Sequence, residues 1–265
     1  MKTGAGLLAF GLAVSMACTA QARPLRVMAL DQCADQYALA LAPKAQLLLS
    51  PRADDADSFL KDAAKGHRMV RPSLETAVAE RPDVVVRYWG GDARLLRRLE
   101  RDGITVVTIE DSRDFDGIRD NIRRVSSALN VDARGEQMIA AMDAKLATSA
   151  NAGQGRKAAY LTASGFSAGP DTLIDSILRA AGFRNAMQQT GYQPFGLERA
   201  LLQPPFAIVR GFFEQVFADW RGTGRHPALN RLHREDVVAD LPASTLTCPA
   251  WFAADAVVTL AEGSK

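Results

Sequence analysis

Residues 74–87 read LETAVAERPDVVVR, and residues 197–210 read LERALLQPPFAIVR. Six of the fourteen aligned positions are identical, and Val78/Leu201 and Val85/Ile208 differ only in aliphatic shape. Each copy reads as a short helix, a proline that stops it, a β-branched run suited to a buried strand, and a terminal arginine. A chain that writes the same helix–strand unit twice is built from two similar halves.

The remainder of the chain supports that division. Strands are expected over 25–30, 46–49, 83–88 and 104–109, with helices over 31–42 and 93–101, and Gly103 as a helix stop. A helical stretch over 115–129 is followed, after Asn130-Val131, by a second over 133–150 in which Met138, Met142 and Leu146 recur every fourth residue. No Gly or Pro interrupts 136–150, and a helix of this length spans about 27 Å. Beyond it come strands at 157–163, 206–211 and 237–239, and helices at 171–181 and 251–261. Strands that alternate with helices make parallel sheets covered on both faces. The expected fold is therefore α/β: two Rossmann-like lobes with parallel-rich sheets, residues 23–130 and 153–265, joined by one long connector helix over 131–152. Ligands in such sheets bind beyond the carboxyl ends of the strands, so facing lobes make one cleft.

Composition sets the compartment and excludes some partners. Residues 1–22 carry Lys2, an apolar run over 4–16 and a small-x-small site at Ala20-Gln21-Ala22. This is a signal peptide cleaved after Ala22, its core shorter than the roughly 20 apolar residues of a membrane span. Lipoprotein anchoring through Cys18 is the lesser alternative, because Ser15-Met16-Ala17 lacks the large aliphatic residue expected in its lead-in. The protein is expected in the periplasm. Its formal charge is only +2, and the leader accounts for Lys2, so nucleic acid has no electrostatic footing. Arg94, Arg97, Arg98 and Arg101 fall on one helical face and read as a solvated outer surface.

Candidate ligand groups cluster after the strands. Arg87 and Arg210 close the two repeated strands; paired guanidiniums in a cleft grip carboxylate or hydroxamate oxygens, unless each pairs with an acid of its own lobe. Tyr88 and Trp89 follow one strand, Phe212 follows its copy, Phe166 and Tyr192 lie in loops of the second half, and Trp251 follows Cys248-Pro249. Such rings line pockets for large flat or apolar ligands. Cys33 and Cys248, the two cysteines outside the leader, suit a disulfide in an oxidising compartment, with free thiols at the cleft as the other reading. Three histidines (His67, His226, His233) do not supply a set for naked metal, so a metal would arrive inside a chelator, and no resident cofactor or metal is expected.

One motif points to catalysis instead. Residues 165–169, GFSAG, match the G-x-S-x-G elbow of a serine hydrolase, and Asp219 with His226 or His233 would follow Ser167 in the right order. The elbow needs strand, serine and helix in immediate succession, whereas here the strand ends near Ala163 and the helix opens only at 171. A loop of backbone N–H groups at a helix start serves binding equally well.

Taken together, the leader, ALDQCADQYALALAP (29–43), SLETAVAERPDVVV (73–86), the connector, RAAGFRNA (179–186) and HPALNRL (226–232) resemble the periplasmic substrate-binding proteins of ABC importers for ferric siderophores and cobalamin. The resemblance implies a monomeric, non-enzymatic carrier that takes a metal chelate, a ferric siderophore before cobalamin, and docks on the transmembrane subunits of an ABC permease. It also implies ligand contacts in the loops that carry Cys33 and Cys248. In that family one glutamate per lobe meets permease arginines, and the matching positions are Glu75 and Glu198. A carboxylate in a helix's first turn is independently favoured by the macrodipole.

Overall fold

The computed structural model describes residues 23–196, 207–215, 222–227, 229 and 236–264. Five strands come first: β1 (Arg26–Ala29), β2 (Gln46–Leu49), β3 (Arg68–Met69), β4 (Val84–Arg87) and β5 (Thr105–Thr108). They form one all-parallel sheet in the order β3-β2-β1-β4-β5. The remaining strands are β6 (Lys157–Thr162), β7 (Phe166–Ala168), β8 (Arg184–Asn185), β9 (Tyr192–Pro194), β10 (Ala207–Gly211) and β11 (Val237–Leu241). A second parallel sheet runs β11-β10-β6-β8, and β7 pairs with β9 as a small antiparallel ribbon.

The helices are α1 (Gln32–Leu41), α2 (Leu74–Glu80), α3 (Ala93–Arg101), α4 (Phe115–Ala128), α5 (Asp132–Ser149), α6 (Leu173–Ala180) and α7 (Ala253–Glu262). Their starts are written locally: the side chains of Asp31, Ser73, Asp92, Asp114 and Thr172 each accept the backbone N–H three residues on. Such a cap contributes about 1 kcal/mol, because it satisfies a donor the helix itself cannot.

Alternation along β1 shows why the sheet needs cover on both sides. Val27 and Ala29 enter the main core with Val84 and Val86, while Met28 and Leu30 face the opposite way with Val85, Leu95 and Leu99 under α2 and α3. Sheet two divides likewise, Tyr160 and Val209 to the main core, Leu161 and Ile208 to a smaller one with Phe195. Each fully buried aliphatic side chain contributes roughly 1.5–3 kcal/mol.

The main core is continuous across the two halves. It runs from sheet one through α1, α4 and α5 to α6, α7 and sheet two. The connector α5 lies against α4 closely enough that a Cβ on Gly135 would meet Ser126 Oγ at 2.4 Å. A second crossing, of which the sequence offered only the Cys33–Cys248 bond as one of two readings, is made by residues 246–252. Tyr37 Oη donates to the Pro249 carbonyl at 2.9 Å, Tyr37 meets Trp251 edge-on at 5.4 Å, and Phe59 stacks on Phe252 at 4.5 Å. Cys33 and Cys248 are joined in a disulfide, their Cα atoms 5.6 Å apart, which settles the open alternative between bond and free thiols. The short strands β3, β7, β8 and β9 are also additions, each too brief to show alternation. Among the described residues no helix is long and apolar enough to cross a membrane. The expected signal peptide and the helix expected in the second copy of the repeat fall outside the described residues.

Candidate functional site

In sheet one the chain order reverses direction between β1 and β4, the position at which ligands of such sheets are generally held. Asp31, directly after β1, fixes that point. Its Oδ1 caps α1 through Ala34 N at 3.0 Å, and its Oδ2 accepts from Tyr88 N at 2.7 Å and Gly90 N at 2.8 Å. One carboxylate thus ties the loop after β4 to the end of β1. Gly90 is required there, since a Cβ would lie 2.4 Å from the Leu30 carbonyl oxygen.

The loop after β5 brings Asp111, Ser112 and Arg113 to the same edge. Asn121 holds it by donating to the Glu110 carbonyl at 2.8 Å and to Ser112 Oγ at 2.9 Å. Opposite stand residues 171–177 at the start of α6, Thr190 to Tyr192 leading into β9, and residues 246–249. Together they enclose a cavity of about 520 Å³ walled by both halves of the chain.

Polar groups mark its walls. Tyr88 Oη donates to Asp111 Oδ1 at 2.9 Å. Burial above all pushes the Tyr88 phenol up to about 12; Trp89 opposes the rise, and the Asp111 hydrogen bond and the charges of Asp111 and Asp31 add to it, so it stays neutral. Arg113 pairs with Asp171 from the other half, and Ser176 Oγ donates to the Arg113 carbonyl at 3.0 Å. Asp171 holds a left-handed backbone, φ 65°, a conformation that Asp tolerates better than most residues. The aliphatic wall is Leu173, Ile174, Ile177 and Leu246, and the floor includes Cys248.

A sequence profile described as periplasmic binding protein matches residues 37–244. The chain belongs to the periplasmic binding protein family. The uncharacterized ABC transporter substrate-binding lipoprotein YvrC of Bacillus subtilis (strain 168) is 22% identical over 168 residues, 58% of this chain and 54% of that protein, so the match spans about half of that relative. Among solved structures, a possible iron-binding, periplasmic solute-binding protein from Staphylococcus epidermidis ATCC 12228 superposes with TM-score 0.71 at 13% identity, covering 90% of this chain and 97% of the other. The periplasmic heme-binding protein BhuT, solved with two hemes, superposes with TM-score 0.69 at 23% identity, covering 91% and 99%. At these identities the structures share the fold: two lobes with parallel-rich sheets joined by the long helix.

Six of the ten expected ligand residues of this periplasmic binding protein lie in or beside the cavity wall. Tyr88, Tyr192 and Cys248 line the cavity. Trp89 is 73% exposed beside Tyr88, ring centroids 5.1 Å apart, and Phe166 is 47% exposed on β7, which pairs with the strand carrying Tyr192. Cys33 is buried behind the floor in its disulfide.

The arginine pair is not brought together at the cavity. Arg87 turns back on its own lobe, its Nε donating to the Gly90 carbonyl at 2.7 Å and a terminal nitrogen to Thr108 Oγ1 at 3.4 Å. Arg210 makes a two-pronged ion pair with Asp240, one prong 2.5 Å, and lies over the Phe213 ring at 5.0 Å. The reason is register: Arg210 sits opposite Asp240 in the β10–β11 ladder, so its acid partner was supplied by the neighbouring strand. Arg210 lines a separate cavity of about 410 Å³ with Phe213, Glu214 and Asp240. Trp251 packs on Tyr37 and Phe252 and borders a groove of about 560 Å³ beside α5, away from the cleft lining. Phe212 is partly buried at φ 62°, just past β10, and does not line the cavity.

The hydrolase elbow is not formed. Ser167 is fully buried on β7, its Oγ without a hydrogen-bond partner, and four residues separate β7 from α6. His226 is described, whereas Asp219, His233 and the docking candidate Glu198 lie outside the described residues. Glu75 is exposed in the first turn of α2, its carboxyl held below the usual range by its own backbone N–H and by the Ser73 hydroxyl. Sequence reasoning passed over Asp31, Asp111, Arg113 and Asp171. The available signal was positional, since Asp31, Asp111 and Arg113 all stand within a few residues of a parallel strand's carboxyl end.

Proposed function

We propose that this chain is the solute-binding component of an ABC importer, capturing one small metal chelate between its lobes and passing it to a membrane permease. The carrying observation is the cavity of about 520 Å³ at the strand ends, walled by loops of both halves. Its size suits a small organic ligand, and its mixture of rings, aliphatic side chains and a few charged groups is that of a binding pocket. A chelate is the class we infer, a ferric siderophore, cobalamin or a heme-like tetrapyrrole, since BhuT carries heme on the same fold. Tyr88 and Tyr192 act as facing walls, Trp89 and Phe166 as rim, and the Cys33–Cys248 disulfide braces the floor.

Residues 23–130 and 153–265 act as the two lobes, 131–152 as the connector, and the carrier works as a monomer. Residues 1–22 deliver it to the periplasm, with anchoring through Cys18 as the alternative that a lipoprotein relative keeps open. Glu75, exposed and ionised, and Glu198 meet cationic groups of the permease. The reading is of a binder without turnover, and the buried Ser167 offers a hydrolase no nucleophile. The test is titration of the purified protein with a ferric trihydroxamate, hemin and cobalamin while tryptophan emission is followed, Trp89 standing at the rim. Saturable, one-to-one quenching by at least one of them, with the chelate recovered intact, is expected. Silence toward all three, together with a protein partner in a pull-down, would replace the carrier by an adaptor.

A further inference from the structure

Three charged side chains line the cleft cavity among the described residues: Asp111, Arg113 and Asp171. They do not balance. Arg113 and Asp171 neutralise each other across the cleft. Asp111 has no cationic partner among the described residues, and its hydrogen bond comes from the neutral Tyr88 phenol at 2.9 Å. The cationic groups foreseen for this cleft are engaged elsewhere, Arg87 by Gly90 and Thr108, Arg210 by Asp240.

Rings flank this lone carboxylate from both halves. Tyr88 approaches from the loop after β4 and Tyr192 from β9, both in the cavity wall, and Trp89 sits edge-on to Tyr88. The face of an aromatic ring carries negative quadrupole charge and attracts a cation within about 6 Å. A carboxylate beside two phenol rings therefore favours a positive group, whereas a carboxylate or phosphate of a ligand would meet an uncompensated like charge.

We propose that the ligand presents an organic cation, an ammonium or its equivalent, to Asp111 between Tyr88 and Tyr192. This rests on the binding role proposed above and specifies its ligand, turning it away from the anionic chelate that the arginine pair suggested.

Two matched pairs of probes test it by tryptophan quenching. One is the ferric complex of a linear trihydroxamate ending in a free ammonium, against the same complex with that amine acetylated. The other is a ferric porphyrin with four N-methylpyridinium groups, against its tetrasulfonate. In any pair that binds, the cationic member is expected to bind at least tenfold tighter; Asp111→Asn should shrink the preference below threefold, and Asp111→Lys should reverse it. Asp111 is exposed, so both variants keep the fold. Equal or tighter binding of the acetylated or sulfonated member, or a preference that survives Asp111→Asn, overturns the proposal while leaving the carrier reading intact. Failure of all four probes overturns this inference too, while the carrier reading stands or falls by the hemin and cobalamin titrations described above.

Discussion

Asp35 is fully buried in α1, where its carboxylate accepts Ser50 N at 2.8 Å and Ser50 Oγ at 2.6 Å. Burial pushes its carboxyl up to about 7; the Ser50 bonds offset part of the rise, and the charges of Asp31 and Asp55 add to it. In the unfolded chain an aspartate titrates near 4. A carboxyl raised on folding contributes stability that is complete below pH of about 4 and is lost as pH rises through about 7. Asp35→Asn keeps the shape and removes the charge. Wild type should therefore lose up to about 4 kcal/mol relative to Asp35→Asn between pH 4 and 8, at about 1.4 kcal/mol per unit. Urea unfolding at several pH values measures it, and parallel curves would refute the assignment. The same scale explains Arg210. Its side chain could be read from sequence as a ligand group or as half of an ion pair, and only the strand beside it decided for Asp240.

At the scale of elements, most strands and helices were legible because each carries its own pattern. The expected helix over 93–101 coincides with α3, whose Leu95 and Leu99 recur at helical spacing, and the expected strand over 46–49 with β2, a short continuous apolar run buried on both faces. The small ribbon of β7 and β9 was not legible, and of the crossing segment 246–252 only the Cys33–Cys248 bond was offered, as one of two readings, since both elements are held by partners distant in sequence rather than by local preference. The crossing segment carries the Cys33–Cys248 disulfide, whose cysteines are 215 residues apart. A cross-link closing so long a loop restricts the unfolded chain strongly, with an expected contribution of about 3–5 kcal/mol. The Cys33→Ser, Cys248→Ser double variant should lose that much in denaturant unfolding, and amides of 246–252 should exchange faster with solvent. Unaltered exchange there would show that Tyr37, Phe59 and Trp251 hold the segment without the bond.

For the whole molecule, two sheets share one core across α5 and the returning segment, so the lobes are braced at more than the connector. On the carrier reading proposed above, that arrangement favours delivery with modest lobe movement. Glu75 lies exposed on α2, and the repeat gives Glu198 the same place in the sequence of the other half. Reversing both charges is expected to abolish permease-dependent uptake and leave ligand affinity within twofold. Normal uptake by the Glu75→Lys, Glu198→Lys protein would exclude the docking role.

By itself the sequence determined the α/β class, the two lobes with their parallel-rich sheets, the long helix and the strand ends that border the cavity, because hydrophobic period, caps and breaks are local and survive in one dimension. The tertiary structure decided which side chains meet at those ends: Asp31 under the Tyr88 loop, Asp111 against a phenol, Arg113 against Asp171, Arg210 turned to Asp240. Charge partners are set by strand order and register, which bring together residues from remote positions, and no local pattern records which carboxylate a guanidinium will find.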